Sequence, residues 1–219
     1  MIEALEVEVR APVVSFRNPL YAGVQVGLPC PPPATVGGML AAAAGGWGQV
    51  PADLRFAMAF SAAGEGVDLE TYHPLDASGR KADPTPKDRP FLAEVTLRIW
   101  LFDDLERWER ALRRPVWTLR LSRSQDLATA RTRRVRLVPQ RAGRQGHAVL
   151  PAQLTFAGAL LQLPTAISLD RSRTQWHAYR YHREGIPDEV RGEWATEDGQ
   201  AVALLPPVHP DQFTVANAP

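Results

Sequence analysis

Ser15-Phe16-Arg17-Asn18 closes a β-branched stretch, and Tyr21 follows three residues later. A proline run, Pro31 to Pro33, then leads into Ala34 and Thr35, the start of a small-residue helix that stops at Gly45 and Gly46. Proline followed by threonine is a helix-start signal, because proline tolerates the missing N–H and threonine can cap a free amide. The chemistry this permits is recognition of a polyanion. Arginine grips phosphate bidentately, a helix N-terminus attracts it, and an exposed aromatic can stack on a base. Taken alone, S-F-R also fits an ordinary loop whose Phe16 fills the core.

A second concentration of cations lies in the middle of the chain, at Arg107, Arg110, Arg113, Arg114, Arg120 and Arg123, then at Arg131, Arg133, Arg134 and Arg136. The 25 Lys+Arg against 24 Asp+Glu give a net charge of +1, so total charge announces no nucleic-acid binder. All but Lys81 and Lys87 are arginine, the better residue for planar, bidentate phosphate contacts. Clustering is the stronger signal.

Other chemistries find less support. Cys30 is the single cysteine, which leaves no disulfide, zinc ribbon or thiol pair, and its place among prolines reads as packing. His73, His147, His177, His182 and His209 form no local array for metal-free RNA cleavage, which needs a base, an acid and a cation around one phosphate. In a strand through 177–182, residues 177, 179 and 181 share one face while 180 and 182 share the other. His177 and His182 lack the i, i+4 spacing of a helical metal pair, and Gly45-Gly46-Trp47-Gly48 lacks the Lys-Ser/Thr of a phosphate-binding loop. No metal or cofactor is expected. Without a basic, apolar leader or a membrane-length apolar run, the expectation is a cytoplasmic protein with no membrane contact.

The elements that must position these residues can be read coarsely. Residues 2–9 alternate as a strand, 35–45 form a helix, 54–61 a second strand and 91–102 a strong third. Residues 105–112 make a short amphipathic helix capped by Asp103 or Asp104, and 116–121 and 135–138 suggest further strands. Between Gly64 and Arg89 the chain turns polar, a long excursion of the kind that carries function or remains a surface loop. After residue 145 short apolar strands are suggested at 160–163, 167–169 and 176–181. Strand, helix, strand, insertion, strand, helix, strand is the order of an α+β, ferredoxin-like, RRM-type domain, a sheet used to bind single-stranded RNA. The expected organisation is 1–145 as that domain and 146–219 as a small β-rich C-terminal region.

The N-terminal segment resembles the signature of the Cas5 family, the CRISPR-associated subunits that hold the 5′ end of the guide RNA. The match rests on Ser15-Phe16-Arg17, the run Pro29 to Pro33, and Thr35-Val36-Gly37-Gly38-Met39-Leu40. About a hundred residues on, Arg114-Pro115-Val116-Trp117-Thr118-Leu119-Arg120-Leu121-Ser122-Arg123-Ser124 is similar to the family's R-P-x-Y/W-x-L-x-L-G-R-S stretch, with Ser122 in place of the usual glycine. The resemblance implies a ferredoxin-like fold with a β-hairpin thumb, here 70–91 with Arg80, Lys81, Lys87 and Arg89. It implies a non-catalytic subunit, most like the subtype I-B kind, that caps the crRNA 5′ handle in a type I surveillance complex (Cascade) for antiviral defence. Its implied partners are crRNA, a Cas7-type backbone subunit and a Cas8-type large subunit, with target DNA met only through the complex. The expected RNA contacts are Phe16, Arg17, Asn18, Tyr21, Arg120, Arg123, Ser124, Arg131, Arg133 and Arg134, and no catalytic residue. The cleaving relatives' adjacent Lys-His element has no counterpart here. The alternative is a metal-independent endoribonuclease that makes the handle itself.

Overall fold

A computed structural model describes residues 1–21, 25–72, 83–139 and 142–213. Its elements in chain order are β1 (Ile2–Val14), α1 (Pro33–Ala44), β2 (Ala57–Tyr72), β3 (Thr85–Leu101), α2 (Leu105–Arg113), β4 (Thr129–Pro139), β5 (Gly143–Gly146), β6 (Ala148–Pro151), β7 (Ala159–Ile167), β8 (Thr174–Tyr181), β9 (Ile186–Val190), β10 (Trp194–Ala195) and β11 (Ala201–Val202). Among the described residues, nine strands form one antiparallel sheet in the order β11-β10-β4-β1-β3-β2-β6-β8-β7, and β5 pairs with β9 in a two-stranded sheet. Among the described residues no helix is long and apolar enough to cross a membrane.

Strand β1 sits near the centre because its alternation can serve two faces. Leu5, Val7 and Val9 point into the main core, where Val36, Met39 and Leu40 of α1 and Trp108 and Leu112 of α2 cover them. Ala4 and the largely buried Glu6 lie on the opposite face, with Trp100 and Leu137. Burying each such aliphatic side chain stabilises the fold by about 1.5–3 kcal/mol. Segments after residue 145 complete the sheet on both flanks, and Leu163, Tyr179 and Tyr181 belong to the same apolar cluster as Val7 and Met39.

Helix α1 starts two residues earlier than the sequence suggests. Pro32 is its N-cap and Pro33 its first residue, no side chain caps it, and Thr35 lies inside. Pro31, Pro32 and Pro33 are all buried, so this helix end is packed and does not face an open loop. Its stop is as read: Gly45 takes φ 100°, a left-handed cap open to glycine, and the Gly46 N–H returns to the Ala41 carbonyl at 2.7 Å. Asp104 precedes α2 in a left-handed conformation and gives no side-chain cap.

The largest departure is the polar excursion. Strands β2 and β3 remain paired in unbroken register from Ala57↔Trp100 to Tyr72↔Thr85, while β1 accompanies β3 only to Val14↔Leu92. The excursion is therefore an extension of two core strands into a free-standing hairpin. Beyond Glu65↔Leu92 no third strand among the described residues flanks the pair, and Val67 and Leu69 stay exposed, so the apolar period fades. Cross-strand pairs Asp68↔Arg89 and Glu70↔Lys87 replace apolar contacts. Gly66 lies under Phe91, whose ring atoms come within 2.6 Å of where a Cβ would stand, so a larger residue there would have to displace the ring. The strand expected at 116–121 is a loop, and β4 is longer than the four residues read, running from Thr129.

One polar residue fits its surroundings poorly. Gln145 is fully buried, and neither its amide nitrogen nor its oxygen finds a hydrogen-bond partner. Gln145→Leu, close in volume, is expected to raise the unfolding free energy by about 1–2 kcal/mol, the scale of an unsatisfied buried amide. Urea unfolding would read it; a less stable variant would contradict the assignment.

Candidate nucleic-acid interface

The two sequence motifs meet at the end of the sheet from which the hairpin departs. Where β1 ends, the Ser15 hydroxyl donates to the Pro90 carbonyl of β3 at 2.8 Å, and the Ser15 N–H donates to Asp126 Oδ2 at 3.3 Å. The Ser122 hydroxyl donates to the Ser15 carbonyl. Asp126, 3% exposed, also accepts from the Arg123 N–H at 3.2 Å and from the Arg123 guanidinium, with Nε at 3.0 Å and Nη2 at 2.9 Å. This buried carboxylate is the hinge pin between motifs distant in sequence, and nothing in the run Arg123-Ser124-Gln125-Asp126 singles it out beforehand. Ser122 takes no positive φ, so this loop does not need the family's glycine, and its hydroxyl gains a partner. The loop's other end is fixed by the Val116 and Trp117 N–H groups, which donate to the Ala43 and Ala42 carbonyls of α1.

A cleft of about 400 Å³ opens beside this junction. Arg17 from the loop after β1, Arg89 from the hairpin root, and Arg123 and Ser124 from the loop after α2 all line it, with Gln25 and Glu70. Arg17 is exposed and its Nη2 donates to the Tyr21 carbonyl at 3.2 Å. Asn18 shapes that loop: its Oδ1 accepts the Leu20 N–H at 3.1 Å and its N–H reaches the Val26 carbonyl at 2.8 Å. Arg89 is 7% exposed and pairs with Glu70, while Gln25 bridges the pair, donating to Glu70 at 3.0 Å and accepting from Arg89 Nε at 3.3 Å. Burial, then the neighbouring Arg123 charge, lowers the Arg89 pKa from its ordinary value. Three guanidinium groups around one cleft are suited to a chain of phosphates.

The family model for the CRISPR-associated protein Cas5 matches residues 4–195. The chain belongs to the Cas5 family. Its fold is similar to a chain of a CRISPR RNA-guided surveillance complex, with 19% identity over 86% of this chain and 91% of that one and a TM-score of 0.58. It is also similar to a chain of a type III-B Cmr-beta complex bound to cognate target RNA and AMPPnP, with 7% identity, coverage of 85% and 86%, and a TM-score of 0.57. At these identities the likeness is one of fold. No curated protein matches the sequence.

In this Cas5 chain the remaining expected contacts scatter. Phe16 is not an exposed aromatic: it is 3% exposed, meets Phe60 edge-on at 5.7 Å and belongs to the main apolar cluster. Tyr21, 49% exposed, is the aromatic that the loop presents. Arg120 is exposed next to an isolated bridge with Leu127 and does not line the cleft. Arg131, Arg133 and Arg134 obey strand alternation. Arg133 stands opposite Glu6 on the face away from the helices and pairs with it at 2.8 Å; Arg131 stands opposite Glu8 on that face. Arg134 points to the helix side, 3.4 Å from Glu109 and 3.9 Å from Glu3. Arg133 lines a separate groove of about 510 Å³ with Arg98, Glu6 and Asp198. Lys87 lies on the hairpin across from Glu70; Arg80 and Lys81 fall outside the described residues.

None of the described histidines lines the cleft. His177 accepts or donates at 3.0 Å to Thr165 Oγ1, and burial lowers its pKa. His182 stands 3.5 Å from Glu184, and His209 is buried against the Trp47 carbonyl at 3.1 Å. Tyr179 and Tyr181, on the strand face that His177 shares, enter the core, and burial pushes the Tyr179 hydroxyl up to about 12. His73 lies outside the described residues. Cys30 is fully buried, which pushes its thiol far above the ordinary range. Among the described residues no group of three or more His, Cys, Asp or Glu could hold a metal ion.

Proposed function

We propose that this Cas5 chain is a non-catalytic guide-RNA-binding subunit that caps the crRNA 5′ handle in a type I surveillance complex. The observation that carries the reading is the cleft in which Arg17, Arg89 and Arg123 converge from three separate segments at the root of a projecting hairpin. The order β4-β1-β3-β2 with two helices on one face supports a ferredoxin-like, RRM-type core. Single-stranded RNA would run its backbone across the three guanidinium groups, with Tyr21 available to stack on a base. The hairpin would pass between the first spacer nucleotides. A Cas7-type backbone subunit and a Cas8-type large subunit are the proposed neighbours, target DNA is met through the complex, and the protein works in the cytoplasm without a cofactor.

The test mixes the purified chain, in EDTA, with labelled CRISPR repeat RNA and with its mature 5′-handle fragment. The expected result is a shifted handle fragment beside uncut repeat. A discrete cut giving a handle of defined length would make the chain a metal-independent endoribonuclease.

A further inference from the structure

Glu70 and Asp126 both face the arginines of the cleft, yet they are held very differently. The Asp126 side chain is 2% exposed and is engaged by the Ser15 and Arg123 backbone N–H groups besides the Arg123 guanidinium. The Glu70 side chain is 34% exposed, and its donors are the side chains of Arg89 and Gln25. It also stands on the two-stranded part of the hairpin, which no third strand among the described residues restrains. Asp126 is built in, whereas Glu70 can leave. Arg89, by contrast, cannot remain without an anion, since a guanidinium with a side chain only 9% exposed demands a counter-charge.

We propose that the Glu70 carboxylate holds the place of an RNA phosphate in the unbound protein and is exchanged for it when RNA enters. The inference rests on the RNA-binding reading of the same cleft. A carboxylate and a phosphate offer a guanidinium the same pair of acceptor oxygens, so Arg89 keeps its charge partner through the exchange. Gln25 stays on Arg89 Nε through its Oε1, and its Nε2 donor, released from Glu70, is left aimed at the incoming oxygen. The exchange couples the hairpin root and the loop bearing Gln25 to occupancy of the cleft, and it disfavours weak anions that cannot outcompete Glu70.

Fluorescence anisotropy with labelled handle RNA at low salt tests this on the full chain, beside thermal unfolding with and without RNA. Glu70→Gln removes the competing charge, so affinity is expected to rise roughly tenfold, the scale of one charge a few ångströms away in a half-exposed site. The free variant should melt lower than the wild type while its RNA-induced shift in Tm is larger, because RNA then supplies the missing anion. Glu70→Asp keeps the charge on a shorter arm and should bind at or slightly above wild-type affinity. Glu65→Gln, on the same strand but paired with Arg183 outside the cleft, should change nothing. Unchanged or weaker RNA binding by Glu70→Gln, or an equal gain with Glu65→Gln, would overturn the exchange. If Glu70→Gln does not fold, an affinity for Glu70→Asp below wild type, marking Glu70 as purely structural, would do so. Arg17→Ala separates the two claims: if it weakens RNA binding while Glu70→Gln fails to strengthen it, only the exchange falls. If Arg17→Ala also leaves binding unchanged, the RNA reading of the cleft falls with it.

Discussion

Asp126→Ala is expected to destabilise the chain by about 3 kcal/mol, the scale for removing one partner of a buried, hydrogen-bonded charge pair. The substitution leaves the Ser15 and Arg123 N–H groups without their acceptor and strips Arg123 of its carboxylate. It should also free the loop after α2 from the end of β1, leaving the Ser122 to Ser15 hydrogen bond to tie the two segments. Asp126→Asn keeps an acceptor oxygen and is expected to lose less than the alanine variant. Urea denaturation measures both. A loss for Asp126→Ala under about 1 kcal/mol, the range of an exposed ion pair, would show that the junction is solvated and that the motifs are held by packing alone.

Arg17→Ala is expected to weaken handle-RNA binding by about 1–3 kcal/mol, the range of a charge-assisted hydrogen bond. Removing one cation from the phosphate backbone should also reduce the salt slope of log K by about 0.7 for a single strand. Arg134→Ala serves as the comparison. Its side chain sits on the helix side between Glu109 and Glu3, away from the cleft, so RNA affinity should hold while α2 loses an ion-pair partner. Equal losses for the two variants in a salt-titrated binding assay would mean that general positive charge, rather than the cleft, attracts RNA.

Both motifs are legible as residue patterns, and so is the family. Arg17, Arg123 and Ser124 stand out because motif and charge coincide there. The orientation of Phe16 is not legible: one aromatic after a strand has no periodic partner, and only the packed Phe60 shows which way it turns. The triplet Arg131, Arg133 and Arg134 reads as one cluster because sequence adjacency hides the alternation that sends Arg134 to the opposite face. Arg89 reads as a hairpin cation, and no pattern in the sequence joins it to Gln25 and Glu70 in a cleft. That grouping depends on the register between β2 and β3 and on a loop folding back from β1.

By itself the sequence determined most of the strand and helix order of residues 1–139 and the placement of arginine at two motifs, because apolar period and residue type act locally. Tertiary structure decided what those arginines face. The buried Asp126, the Gln25–Glu70–Arg89 bridge and the sheet's extension through β6 to β8 all join residues tens to more than a hundred positions apart. Hydrogen bonds and ion pairs act over a few ångströms of space, whatever the separation along the chain, and leave no period behind in the sequence.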